Sequence, residues 1–245
     1  MKAIILAAGM GLRLKSLTKK TPKPLLNIDG KPLIIRSLDN LDNIGIKEVI
    51  IVVGYLEDFI KKNIGTYYKN IKITYISNPD YSSTGSMYSL SQTEGFIDDE
   101  ILLIEGDLLY EKKALISLIN STKSNEILIA PLSGSGDEVY ICVNESNELI
   151  NLGKNIENKH DSIGELVGIT KLSLDFLLQL YIKAKEDYRR GEKLYHYEEV
   201  IFKLSKKFPI KCRIINDLIW VEIDNEKDLI RAKEKIYPKI KMKEK

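Results

Sequence analysis

Cysteine and histidine are scarce in this chain, with two of each in 245 residues. Cys142 and Cys212 stand alone, without CxxC or metal-ligand spacing, which leaves no disulfide framework or zinc ribbon to build and fits reduced thiols in a cytoplasmic protein. None of the usual nucleophile–base triads is present. An excess of one charge is also missing: 37 Lys and Arg face 35 Asp and Glu, for a formal net charge of +2. That balance gives no electrostatic case for a nucleic-acid partner. No long apolar run occurs, and the first apolar stretch is broken by Gly9, Gly11 and Arg13, so neither membrane insertion nor a signal peptide is expected. The basic tail "KIKMKEK" reads as a solvated end.

What is present is an alternation of strand and helix patterns. "KAIILAA", "EVIIVVGY" (48–55), "KITYIS" (72–77), "EILLIEGD" (100–107) and "EILIAPL" (126–132) are apolar, β-rich runs of the kind that a parallel sheet covers on both faces. Ile34, Leu38 and Leu41 keep helical spacing ahead of Gly45, and "SMYSLSQTEGF" and "KKALISLINS" follow as helices. The second half is mixed. "EVYICVNE" and "ELINLGKN" form strands about the turn "ESN", and "GELVGITKLS" forms another. "LDFLLQLYIKAKEDY" and "YHYEEVIFKLSKKF" read as helices, "IKCRIIN" and "LIWVEID" as strands. "NEKDLIRAKEKI" is a closing amphipathic helix with Asn225 or Asp224 as N-cap. The βαβαβ rhythm implies an α/β fold, a doubly wound sheet with sites at the carboxyl ends of its strands. We read one domain with an inserted substrate-side subregion.

The opening loop "LAAGMGLRL" leaves the first strand with two glycines and an arginine. A dinucleotide fingerprint would need a third glycine where Leu14 stands, and the Walker pattern is absent. Pro22 and Pro24 oppose a helix directly after it. What remains is a backbone nest beside Arg13, Lys19, Lys20 and Lys23, which suits a triphosphate whose charge must be neutralised. A solvated basic loop is the competing reading.

"KAIILAAGMGLRLKSLTKKTPKPLL" resembles the LAAGxGxRL…PK signature of the sugar-phosphate nucleotidyltransferase superfamily. Leu12 departs from it, standing where the family often has Ser or Thr. "NPDYSSTGSMYSL", "LLIEGDLLY", "SGDEVY", "GELVGITKLS" and "WVEIDNEKDL" narrow the resemblance to small cytidylyltransferases acting on choline phosphate or 2-aminoethylphosphonate, nearer to the second. The resemblance implies a Rossmann-like, GT-A-type nucleotidyltransferase fold with a mixed, mostly parallel central sheet flanked by helices. It divides the chain into a CTP-binding core (1–132), an acceptor-side subregion (133–215) and a metal-binding strand with closing helix (216–245). The implied partners are CTP and a small phosphate or phosphonate acceptor; a homodimer is left open.

The implied reaction is attack of an acceptor oxygen on the α-phosphorus of CTP. The nucleophile is already an anion, so no general base is needed, and positioning plus charge neutralisation carries the rate. The resemblance gives Lys23 the α-phosphate, Arg13 the departing phosphates and Lys154 the acceptor's phosphate. It places the cytosine on the backbone of Leu6, Ala7, Ala8, Gly9 and Gly11, with Thr84, Gly85 and Ser86 closing that pocket. Mg²⁺ needs hard oxygen ligands. Asp107 ends a strand, and Glu222 and Asp224 at i, i+2 leave one strand face. The resemblance makes all three metal ligands, against a turn residue for Asp107 and a helix cap for Asp224. For an acceptor amine the candidates are Glu138, Tyr140, Glu165, Tyr197, Glu198 and Trp220, as carboxylates or aromatic faces. Val139 stands where the phosphocholine enzyme has a tryptophan, which favours a primary amine. A non-catalytic nucleotide-binding regulator is the competing class, and the presence of Lys23, Asp107, Glu222 and Asp224 argues against it.

Overall fold

The apolar run after Met1 becomes β1 (Lys2–Ala7), whose Ala3, Ile4, Ile5 and Ala7 are buried. A strand apolar on both faces needs cover on both, and β1 accordingly lies inside the sheet. The structure is a computed structural model that describes residues 1–157 and 159–244. After β1 come β2 (Asn27–Ile28), β3 (Lys31–Pro32), α1 (Leu33–Asn43), β4 (Glu48–Val53), α2 (Glu57–Ile64), β5 (Tyr67–Tyr68), β6 (Ile71–Ser77) and α3 (Ser86–Ser91). β7 (Ile101–Glu105), β8 (Leu108–Tyr110), α4 (Lys113–Ile119), β9 (Glu126–Ala130), β10 (Tyr140–Val143), β11 (Leu149–Gly153) and β12 (Gly164–Leu172) follow. The chain continues through α5 (Leu174–Arg189), α6 (Tyr197–Ser205), β13 (Lys211–Ile214), β14 (Trp220–Glu222), α7 (Glu226–Arg231) and α8 (Tyr237–Lys243).

Among the described residues ten strands form one mixed sheet in the order β11-β10-β12-β7-β1-β4-β6-β5, with β9 on β12 and β13 on β9. β1 pairs in parallel with β4 on one side and β7 on the other, so the strand order reverses beside β1. An α/β sheet opens a crevice at such a point, beyond the carboxyl ends of the strands. β12 runs antiparallel to β7, β9 and β10. Its pairs with β9 span Glu165 to Lys171, so β9 takes one edge. β10 at Gly164–Glu165 and β7 at Ile169–Leu172 share the other. Leu166 N–H still donates to the Val139 carbonyl at 3.0 Å, and beyond it Val167 and Gly168 have no partner in either register.

Two apolar clusters cover the two sheet faces. α1, α2 and α4 pack on Ala3, Ile5, Val49, Ile51 and Leu102, and α3, α5 and α6 pack on Ile4, Ile50, Val52, Ile101 and Leu103. A third cluster joins the two ends of the chain: Leu14, Leu26, Ile28 and Leu33 meet Val221, Ile223, Leu229, Ile236 and Ile240.

The structure departs from the sequence reading in several places, among them the unforeseen short strands β2, β3, β5 and β8. α2 was not foreseen, since its eight residues bury only Ile60 and Ile64. The closing helix is not one regular helix: α7 passes through a π-helical turn at Ala232–Ile236 into α8. The basic tail is not a solvated end up to Lys243; residues Tyr237–Lys243 are helical and Ile240 is 5% exposed.

Candidate active site

The opening loop is tied to the strand ends around it. Tyr55 N–H donates to the Ala8 carbonyl at 3.0 Å, Gly106 N–H to that of Leu6 at 2.9 Å, and Thr18 Oγ1 to that of Gly11 at 2.9 Å. Leu14 is fully buried and anchors the loop, whereas Leu12 is 72% exposed and contributes no hydroxyl. Lys23 opens a single 3₁₀ turn, and its ammonium reaches Asp107 Oδ2 at 2.5 Å and Asp224 Oδ1 at 2.7 Å. Burial alone would lower its pKa, but Asp107, Asp224 and Glu222 together raise it, so Lys23 is a fixed cation.

The acids arrive on two short strands. β8 follows Asp107 directly, and its antiparallel pairing with β14 sets Leu108 opposite Glu222. Asn225, not Asp224, caps α7: its side chain accepts from Lys227 and Asp228, while Asp228 accepts from the amides of Asp224 and Asn225. Asp224 is therefore free to take Lys23 and Arg13 Nη2, the latter at 2.8 Å. Glu105 ends β7 with Tyr197 Oη donating to it at 2.8 Å. It sits over Gly168, whose left-handed φ of 80° favours glycine and where a Cβ would meet the Glu105 carboxyl group at 2.9 Å.

One carboxylate oxygen from each of Glu105, Asp107 and Glu222 lies within 4.8 Å of the other two. Burial and the neighbouring acids push Glu105 up to about 8 and hold Glu222 well above its ordinary range. Asp107 Oδ1 is buried with no hydrogen-bond partner. Crowded carboxylates and an orphaned acceptor fit a hard divalent cation. Asp224, turned toward Lys23 and Arg13, lies beside this trio, and Glu105 completes it.

The facing wall comes from the second half of the chain. Asp137 accepts from Arg13 Nη1 and, at 2.6 Å, from Lys154 Nζ. Glu165 takes the Ser133 amide at 2.9 Å and its hydroxyl at 3.2 Å; burial nevertheless pushes it up to about 7. For Glu138 burial is outweighed by the backbone amides of its own loop, which hold it below its ordinary value. Glu198 Oε2 is buried and without a partner, and burial raises this carboxyl. The loop before α6 closes on Gly85, whose N–H donates to the Lys193 carbonyl at 2.8 Å. A Cβ on Gly85 would lie 2.0 Å from the Tyr195 carbonyl oxygen.

The nucleotidyl transferase family profile matches residues 2–137, more than half of the sequence. The chain belongs to that family. It is 27% identical to the CMP-5'-(3-aminopropyl)phosphonate synthase of Streptomyces rubellomurinus, over 94% of this chain and 38% of that protein. It is 26% identical to the choline-phosphate cytidylyltransferase of Haemophilus influenzae, over 97% of this chain and 98% of that protein. The solved inositol-1-phosphate CTP transferase of T. maritima superposes with a TM-score of 0.80 at 22% identity, covering 98% of this chain and 94% of that one. That likeness shows the Rossmann-like fold. The chain spans between 38% and 56% of the length of the first curated relatives it matches.

In this nucleotidyl transferase most of the residues selected from sequence meet around one cavity of about 370 Å³. Leu6, Ala8, Gly9, Thr84, Gly85 and Ser86 line it together with Arg13, Asp107, Glu222 and Asp224 and with Glu138, Lys154, Glu165, Glu198 and Trp220. Ala7, Gly11 and Lys23 are not on its wall, and Lys23 is tied to it through Asp107 and Asp224. Tyr140 and Tyr197 are not on the wall. The Tyr140 ring is faced by Lys159 at 4.7 Å, and Tyr197 is fully buried as the donor to Glu105. Glu105, Asp137 and His196 line the cavity and were not selected. Glu105 was within reach, because it stands two residues before Asp107, the same spacing as Glu222 and Asp224. Asp137 and His196 carry no such signal; long-range packing puts them there.

Proposed function

We propose that this chain transfers CMP from CTP to a small phosphonate or phosphate that bears a primary amine, 2-aminoethylphosphonate above others, and releases pyrophosphate. The observation that carries the reading is Glu198 Oε2, a buried acceptor without a partner in the same cavity as Asp107, the ion-pair partner of Lys23. A primary ammonium has three donors to offer it, and trimethylammonium has none. Of the three aromatic residues proposed for an amine cage, Trp220 alone lines the cavity, and Tyr81 is the other aromatic side chain there, so the wall holds fewer rings than carboxylates. The relatives support a cytidylyl donor: one is a CMP-aminopropylphosphonate synthase, another a choline-phosphate cytidylyltransferase.

In this reading an acceptor oxygen attacks the α-phosphorus in line as the bond to the β-phosphate breaks, and the electron pair leaves on pyrophosphate. Lys23, held from both sides by Asp107 and Asp224, neutralises charge that grows at the α-phosphate. Arg13 meets the departing phosphates with a planar fork, and Lys154 orients the acceptor's phosphorus group. Asp107 and Glu222, with Glu105 or Asp224, would hold Mg²⁺, which would supply further neutralisation of the phosphates.

The test is pyrophosphate release with each nucleoside triphosphate, with and without a chelator, and with 2-aminoethylphosphonate, ethylphosphonate and phosphocholine as acceptors. CTP, a divalent metal and the amine-bearing phosphonate are the expected requirements. Glu198→Gln is expected to lower kcat/KM for 2-aminoethylphosphonate by about 5- to 150-fold, with little change for ethylphosphonate. Equal or better turnover with UTP would refute the cytidylyl assignment, and a preference for phosphocholine would refute the amine pocket.

A further inference from the structure

Asp137 lies on the loop Ser133–Glu138, which is pinned at both ends. Ser133 holds Glu165 through its amide and hydroxyl, and the Glu138 carboxylate is wrapped by amides of the loop, that of Gly136 at 3.1 Å. Between these anchors Gly134 and Gly136 adopt left-handed φ values of 70° and 87°, with no atom within 4 Å of where a Cβ would be. Gly134, Ser135 and Gly136 are exposed, and Asp137 lines the cavity. There its two oxygens take different cations: Oδ2 pairs with Arg13, from the opening loop, and Oδ1 with Lys154, beyond β11. Arg13 and Lys154 side chains are 55% and 51% exposed, and no other carboxylate of the described residues pairs with Lys154.

We propose that Asp137 is an internal competitor for phosphate: in the free protein it occupies the two cations that the nucleotide and the acceptor require, and it leaves both when phosphate arrives. The inference rests on the reading of Arg13 and Lys154 as phosphate-binding groups. A carboxylate that bridges two cations is a small anion built into the site. It keeps Arg13 and Lys154 within reach of one another, where two like charges would otherwise drift apart, and it is the weaker of two possible bridges. A polyphosphate brings several charges against its one and displaces it by exchange of like for like. Asp137 thus raises the threshold for binding, so that ligands with little negative charge are excluded while a triphosphate is admitted.

The probe is inorganic tripolyphosphate, titrated calorimetrically into the full chain without nucleotide or acceptor. This readout does not depend on cytosine or on an amine, so it can fail or succeed apart from the cytidylyl reading. Asp137→Asn is expected to bind tripolyphosphate roughly three- to tenfold more tightly than the wild type, the range for releasing two solvent-facing ion pairs. Asp137→Glu, which keeps the charge, is expected to retain wild-type affinity. In a Lys154→Met background the gain from Asp137→Asn is expected to shrink by about half, because one of the two pairs is already gone. Melting curves verify that each variant is folded. Unchanged or weaker binding by a folded Asp137→Asn protein would overturn the proposal and leave Asp137 as a brace that positions the cations, as would a gain of undiminished size in the Lys154→Met background.

Discussion

The parallel half of the sheet and its antiparallel half are built from different materials. In the first 110 residues the most deeply buried polar side chains are uncharged, Thr18, Ser37, Asn78, Ser89 and Thr93, and the charged groups that burial shifts most there, Lys23 and Glu105, belong to the candidate site. From residue 111 on, Glu111, Glu126, Glu138, Glu165, Lys171, Asp187, Asp224 and Asp228 are all buried. β1, β4 and β7 are apolar nearly end to end and present chemistry at their carboxyl ends, where Glu105 and Asp107 lie. β12, by contrast, carries Glu165 and Lys171 along its length, held by Ser133 and by Ser121 with Glu100. The difference assigns separate tasks. In the proposed function one half is a shelf whose loop backbone and strand ends would receive the nucleotide. The other keeps charges inside a packed wall, at a cost in desolvation, and of these Glu138 and Glu165 line the cavity, where they would face the acceptor.

The largest expected effect breaks the shelf's chemistry and leaves its structure. Lys23→Ala and Asp107→Ala are each expected to lower kcat by roughly two or more orders of magnitude, with circular dichroism and melting little changed. If both variants are folded and active, the shelf is not where the reaction occurs. Gly85→Ala tests the joint between the halves. The new Cβ requires the Tyr195 carbonyl to move, so a loss of roughly 1–3 kcal/mol in stability is expected, together with a higher KM for the acceptor. A variant with wild-type melting and wild-type acceptor KM would mean that the two loops do not need their close approach.

The pH dependence of stability sharpens the comparison. Burial raises Glu165 from 4.5 to about 7, so the folded chain holds a proton there that the unfolded chain has already released. Stability from this group is therefore lost as pH rises through that window. Glu165→Gln is expected to flatten the fall, and to exceed wild type by roughly 1–2 kcal/mol at pH 8 in urea melts at a series of pH values. Equal slopes for the two proteins would show that this wall carries its charge without penalty. The smallest effect lies outside both halves. Asn225→Ala removes the cap of α7 and is expected to cost about 1 kcal/mol, or about 2–4 °C in Tm. Lys23 and Arg13 keep Asp224, so activity per folded molecule is expected to persist.

The shelf was legible because its signals are local. The apolar runs of β1, β4 and β7, the glycine loop, "PKP" and the strand-end Asp107 each declare themselves within a few residues. The wall was legible in its elements but not in its contacts. Tyr197 looks like an amine-cage aromatic in sequence and turns inward to Glu105; Asp137 carries no signal in sequence and reaches Arg13, 124 positions away. Which of several carboxylates keeps an oxygen free, as Glu198 does, is decided by how helices pack, and no spacing in the sequence encodes it. Asp224 was ambiguous for the opposite reason. Both of its readings were locally sound, and only the capping box between Asn225 and Asp228 separates them.

The pair Lys23–Asp224 joins residues 201 positions apart. On a ribosome the shelf emerges first, with Arg13 and Lys23 already on their loop but with no β14 to complete the acidic side. In the proposed function a chain that ends before β14 would lack Glu222 and Asp224, which come in where Val221 and Ile223 pack with Leu14 and Ile28. Nucleotide-dependent protection from protease is therefore expected only once both ends of this cluster are made.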